Sequence, residues 1–175
     1  MRKFLLPTSL EVLSLSYDIL MKQVGTKEKT GHNDGDVVKY LNSIGLGAGN
    51  AYCLAGQYYC FEEASKELNR PNPLYKTGLT KRLIRFAEDH AVPVEFKPAK
   101  HDLICWRHHD PDIRGHVERI IDIITPRLVR TVGFNTSNGK IGSQREGDGV
   151  FIRVRKIGDL GKMYLNCLIG FEVND

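Results

Sequence analysis

The chain is 175 residues long, 41% hydrophobic and 26% charged, the size and make-up of one compact domain over 1–175 rather than of a disordered polymer. Its 25 basic and 21 acidic residues leave a formal charge of +4, which favours an acidic partner but falls short of what marks a nucleic-acid binder. No apolar run approaches the roughly 20 residues of a membrane-spanning helix. The four cysteines, Cys53, Cys60, Cys105 and Cys167, form no CxxC pair, so free thiols fit better than a zinc ribbon or a disulfide scaffold.

Met1-Arg2-Lys3-Phe4-Leu5-Leu6 imitates the start of a secretory leader, but Pro7, Thr8 and Ser9 interrupt it and Glu11 follows, so it reads as mature sequence. Thr8 as cap and Glu11 three residues on predict a capping box. Leu10, Leu13, Tyr17, Leu20, Met21 and Val24 then recur at helical spacing up to Gly25. The stretch from Thr26 to Asp36 is polar and turn-rich, and Asn33-Asp34-Gly35-Asp36 lacks the length and terminal glutamate of a calcium loop. A short helix follows, with Val37, Tyr40, Leu41 and Ile44 on one face.

Three glycines in Gly45-Leu46-Gly47-Ala48-Gly49 allow a sharp turn and a close approach. Asn50 then caps a helix over Ala51 to Leu68, which puts Cys53 in its first turn. A further helix is expected over Thr80 to His90. From Leu103 the pattern changes to β-branched and aromatic runs: Leu103–Trp106, Val117–Ile124, Leu128–Phe134, Gly149–Lys156 and Met163–Glu172. In the fourth of these, Val150, Ile152 and Val154 alternate with Phe151, Arg153 and Arg155, as in a half-solvated strand. Helices first and strands second predict an α+β domain, N-terminal helices packed on a C-terminal antiparallel sheet.

Cys53 is the leading candidate for chemistry, because unpaired amides and the helix dipole favour a thiolate at a helix start. Cys60, two turns on, reads as a core residue. Among six histidines, His116 stands at the start of a strand after Gly115, where a rigid element holds its ring. Asn135, ending the neighbouring strand, is placed to orient that ring. His101, Cys105, His108 and His109 do not share a strand face, so no metal site is expected. The basic run from Lys66 to Arg85 and the trio Arg153, Arg155 and Lys156 read as solvated faces, or as attraction to a polyanion.

Three blocks carry a resemblance: Gly25 to Gly35, then Val38-x-Tyr40-Leu41-x-Ser43-Ile44-Gly45-Leu46, then Gly49-Asn50-Ala51-Tyr52-Cys53. They resemble the "E-x-x-G-x-N-x-G … YL-x-x-x-GL-x-x-G-x-x-WCA" opening of the CHAP family, cysteine, histidine-dependent amidohydrolases/peptidases of phage lysins and bacterial cell-wall enzymes. The likeness resumes at Gly115-His116-Val117, Thr131-Val132-x-x-Asn135-Thr136 and Ser143-x-Arg145-Glu146-Gly147-Asp148-Gly149-Val150, covering about 25–156.

The resemblance implies a papain-like fold with Cys53 as nucleophile, His116 as general base and Asn135 as the orienting residue, without cofactor or metal. It implies a cysteine-dependent peptidoglycan hydrolase, an amidase or endopeptidase. Such a protein is made without a signal peptide and reaches the wall or periplasm after lysis, in a virion or through secretion. The fitting roles are phage lysin, tail component or antibacterial effector, the last with an inhibitory immunity protein as partner.

Three departures stand out: Tyr52 replaces tryptophan, His101-Asp102 replaces "G-D", and Gly133 replaces the acidic residue of the "E-G-N-T" block. Either Asn135 orients His116 alone or another acid substitutes, Asp102 and Glu118 being available. The rivals are a catalytically impaired wall-binding module, a protease acting on protein, and, last, a nucleic-acid binder.

Overall fold

A computed structural model describes residues 1–137 and 147–174. Their elements run β1 (Arg2–Thr8), α1 (Leu10–Gln23), a 3-10 turn (Gly35–Val37), α2 (Val38–Ser43), α3 (Cys53–Leu68), α4 (Thr80–His90), β2 (Val92–Val94), β3 (Leu103–Arg107), β4 (Gly115–Thr125), β5 (Leu128–Thr136), β6 (Gly149–Lys156) and β7 (Tyr164–Val173). The strands form one seven-stranded sheet in the order β2-β1-β7-β3-β4-β5-β6. The α+β class holds, but the sheet is mixed: β1 runs parallel to β7, Arg2 opposite Cys167 through Thr8 opposite Val173. The stretch that imitates a leader is therefore an interior strand of the sheet.

Pairing alone does not keep β1 inside. Phe4 and Leu6 are buried, and Lys3, also buried, reaches Asp102 Oδ2 at 2.8 Å and the Lys97 carbonyl at 2.8 Å. A buried ammonium is tolerable only when paired and hydrogen-bonded in this way. Ser9, not Thr8, caps α1: its hydroxyl accepts the Val12 amide at 3.3 Å, one residue later than the expected box.

Helices α1 and α3 lie against each other, and α3 packs on β4 and β5. The contact is close because α3 carries Gly56 where it crosses β5; a Cβ there would stand 2.1 Å from the Phe134 ring. Leu54, Phe61, Leu83, Leu103, Val117 and Ile169 belong to one buried cluster, and Tyr40, Tyr52, Phe134 and Val150 to a second beside it. Burying such side chains contributes on the order of 1.5–3 kcal/mol each relative to exposure. A third cluster, Ile104, Trp106, Ile120 and Leu168 among it, takes alternate residues of β3 and β4. Val117, Arg119 and Ile121 therefore point toward the helices, and His116, Glu118 and Ile120 to the other face.

Strand β6 buries Val150 as expected but departs from the alternation beyond it. Ile152 and Val154 are exposed while Arg155 is buried, and Arg153 reaches inward to the Ser137 carbonyl at 2.7 Å. These arginines are not a solvated face. Asp34 accepts from the Lys29 and Thr30 amides and the Thr30 hydroxyl, which makes 33–36 a polar turn as read.

Candidate active site

Helix α3 begins at Cys53, so the thiol occupies the first helical position. Asn50 does not cap it; the Asn50 side chain turns back to the Gly47 carbonyl at 3.0 Å, and Tyr52 stands at the cap position with no side-chain cap bond. Tyr52 is instead an anchor. Its hydroxyl donates to Glu28 Oε1 at 2.9 Å and its ring stacks on Tyr40 at 5.9 Å. Glu28 Oε2 in turn accepts the Asn33 amide at 2.9 Å. The polar segment before α2 thus holds the residue preceding the thiol, a role for Glu28 that the sequence reading did not assign.

Cys53 is 5% exposed, and its Sγ lies 3.9 Å from the Gly115 carbonyl at the head of β4. The hydrogen bond of the sulfur itself goes to that carbonyl, while the ring of the next residue, His116, interacts with the Cys53 side chain. Its Nε2 meets Glu118 Oε1 at 2.9 Å, leaving Nδ1 as the ring nitrogen for sulfur. The indole of Trp106 stacks over the imidazole at 6.0 Å and fixes its plane. Burial opposes charge on this ring, yet its interactions with Cys53 and the Glu118 carboxylate prevail and lift the pKa to about 9.

Glu118 is fully buried and every acceptor site is used. Oε1 takes His116 and Arg155 Nη2; Oε2 takes the Thr131 hydroxyl at 2.6 Å and Arg155 Nε at 2.9 Å. Burial pushes the carboxyl up, but the Arg155 fork and the His116 ring outweigh it and hold the acid far below the usual carboxylate range. A carboxylate so clamped orients and supports an imidazolium; it is not a proton acceptor.

Of the orienting residues that the sequence left open, Glu118 is the one whose hydrogen bond to the His116 ring is described. Asp102 is committed to Lys3 and to the Ala99 amide at 2.8 Å. Asn135 sits in a bulge between Phe134 and Thr136 with φ +52°, and the described hydrogen bond of His116 Nε2 goes to Glu118, not to Asn135. Gly133 is the cross-strand partner of Glu118, and a Cβ on Gly133 would lie 2.8 Å from Glu118 Oε1. The acid comes from β4 into the space above position 133, which stays clear because 133 is glycine. The block Ser143, Arg145 and Glu146 lies outside the described residues.

The remaining thiols and histidines are elsewhere. Cys60 is buried, and burial pushes its pKa up to about 12. Cys105 and Cys167 are register partners across β3 and β7, with the Cys105 thiol pushed well up by its hydrogen bond to Cys167 and by burial. No disulfide links the described cysteines. His101 contacts Arg119 at 3.1 Å, His108 faces Asp112 at 3.8 Å and His109 stacks on Tyr164, so they do not converge; no metal-holding group occurs among the described residues. No described helix is long and apolar enough to cross a membrane.

No protein-family model, curated protein or solved structure matches the chain.

Proposed function

We propose that this chain is a cysteine-dependent amide hydrolase on a papain-like CHAP fold, acting on the peptide of bacterial peptidoglycan as an amidase or endopeptidase. One observation carries the chemistry: a cysteine at the first position of a helix meets an imidazole whose other nitrogen is held by a buried carboxylate. That is the nucleophile, base and orienting acid of acyl transfer, defined by geometry rather than chain position. The wall substrate rests on the motif resemblance alone.

His116 takes the Cys53 proton on Nδ1, and the thiolate attacks the carbonyl carbon of the scissile amide. The tetrahedral oxyanion is met by first-turn amides of α3, which no side chain caps. The His116 proton passes to the leaving nitrogen, the C–N bond breaks, and a thioester to Cys53 remains. Water, deprotonated by His116, then attacks the thioester and returns the free thiol. Throughout, Glu118 keeps Nε2 protonated and the ring aligned, and Arg155 and Thr131 keep Glu118 in place.

The experiment is digestion of purified peptidoglycan and of casein side by side, with wild type and Cys53→Ala, and mass analysis of the fragments. New wall fragments carrying one hydrolysed amide, absent with Cys53→Ala, are expected. Cleavage of casein alone would make the chain a protease of proteins, and identical spectra from both samples would remove the enzyme reading. Delivery as a lysin, tail component or effector with an immunity partner follows only if wall cleavage is found.

A further inference from the structure

A cleft of about 600 Å³ opens between α4 and the strands β1, β3 and β7. Five cationic side chains line it, Arg2, Lys81, Arg82, Arg85 and Arg107, against one acid, Glu88. Some of that charge is answered locally: Arg2 by Glu88, Arg85 by Asp89, and Lys81 and Arg107 together by the single carboxylate of Asp110. Two groups are not. Arg82 is exposed with no acidic partner among the described residues, and Arg107 Nε is buried with no hydrogen-bond partner among them. Arg107 as a whole is only 8% exposed, and a buried guanidinium with an unmet donor is costly unless something supplies an acceptor.

One residue of the cleft is a cross-strand neighbour of the site. Arg107 is the register partner of Gly115, whose carbonyl stands 3.9 Å from Cys53 Sγ. Thr80, which opens α4, presses on the same glycine: a Cβ on Gly115 would lie 2.8 Å from Thr80 Cβ. Further along α4, Arg82 and Arg85 stand three residues apart, about 4.5 Å along the axis. Ile84 and Ile113 supply apolar wall between the charges.

We propose that this cleft is an anion-binding subsite, which takes a carboxylate carried by the substrate peptide beside the scissile amide and reads it with Arg82 and Arg107. The inference rests on the amide-hydrolase reading and adds the substrate feature that sets its specificity. Planar guanidinium forks suit a carboxylate, and the apolar wall suits the methylenes that carry it.

The test separates binding from turnover. Cys53→Ala protein is titrated by fluorescence anisotropy with a labelled wall stem peptide whose carboxylates are free, and with the same peptide fully amidated. Amidation is expected to weaken binding tenfold or more, and Arg82→Glu to abolish that preference. Arg82→Lys should keep part of it, and Lys156→Glu, the same charge change on the far edge of the sheet, should keep all of it. No preference in the parent protein, or a preference that survives Arg82→Glu, overturns the proposal. So does tight, Arg82-dependent binding of poly(glycerol phosphate) with no difference between the two peptides, which would make the cleft a phosphate-polymer site. A chain that discriminates the two peptides yet leaves peptidoglycan uncut sinks the hydrolase reading and leaves the subsite standing.

Discussion

Glu118→Gln keeps the size of the side chain at the centre of the site and removes its charge. In the wild type, the rise of the His116 pKa from 6.5 to about 9 amounts to roughly 3 kcal/mol of preference for the imidazolium. Glu118 raises the value through a hydrogen bond and through its charge, so its removal lowers it. The sign follows from the raised value: the imidazolium contribution is fully present below pH 6.5 and is lost as pH rises through about 9. Activity should therefore fall on the alkaline side near pH 9 in the wild type and at lower pH in Glu118→Gln. The variant also deprives buried Arg155 of its carboxylate, costing about 3 kcal/mol, the low end for a broken buried pair. At roughly 2–4 °C per kcal/mol for a chain of this size, Tm should drop by about 6–12 °C. The assay is kcat/KM from pH 5 to 10, well below the variant's Tm, with Glu118→Gln/Arg155→Gln alongside to remove both members of the ion pair. An alkaline limb that stays near pH 9 in both variants would refute the assignment of Glu118 to His116.

Three other outcomes follow from the same geometry. Gly133→Ala drives a methyl against the Glu118 carboxylate, which the Arg155 fork prevents from yielding, so it should cost about 1–3 kcal/mol and lower kcat. Gly158→Ala, with open space at its Cβ, should change neither in the same melting and rate measurements. Tyr52→Phe leaves Glu28 without its 2.9 Å donor and should cost on the order of 1–2 kcal/mol in urea unfolding, with a fall in kcat. His101 is held neutral, its pKa lowered to about 4 by burial and by Arg119 and Lys100, so the unfolded chain binds the extra proton first. Stability should decline from pH 6.5 toward 4 by on the order of 1 kcal/mol after solvent screening, and His101→Gln should flatten that decline in denaturant titrations at each pH.

Much of the framework was legible because it is local. The helix over Thr80–His90 and the strand over Gly149–Lys156 stand where their periodicity places them, and Cys53 heads α3 two positions nearer the end than expected. Strand β1 was not legible. Its parallel partner lies some 160 residues away, and a lysine at a buried position looks wrong until Asp102 is known to face it. The three exposed residues of β2, one a proline, carry no strand signal. At the site, the glutamate did leave a trace: His116-x-Glu118 puts two side chains on one face of a strand. Asn135 had the better position by motif, and only the strand register brings Gly133 opposite Glu118 and so clears the space. Thr131 and Arg155 were beyond sequence reasoning, since the pairing of β4, β5 and β6 alone makes them neighbours of one carboxylate.

The pairing of Cys53 with His116 is tested most directly by intact-mass analysis of the protein after reaction with a peptidyl electrophile that captures thiolates, followed by mapping of the modified residue. The account predicts a single adduct, on Cys53, forming rapidly in the wild type and at least a hundredfold more slowly in His116→Ala. Equal rates in the two proteins, or an adduct on Cys60, Cys105 or Cys167 in place of Cys53, would contradict it.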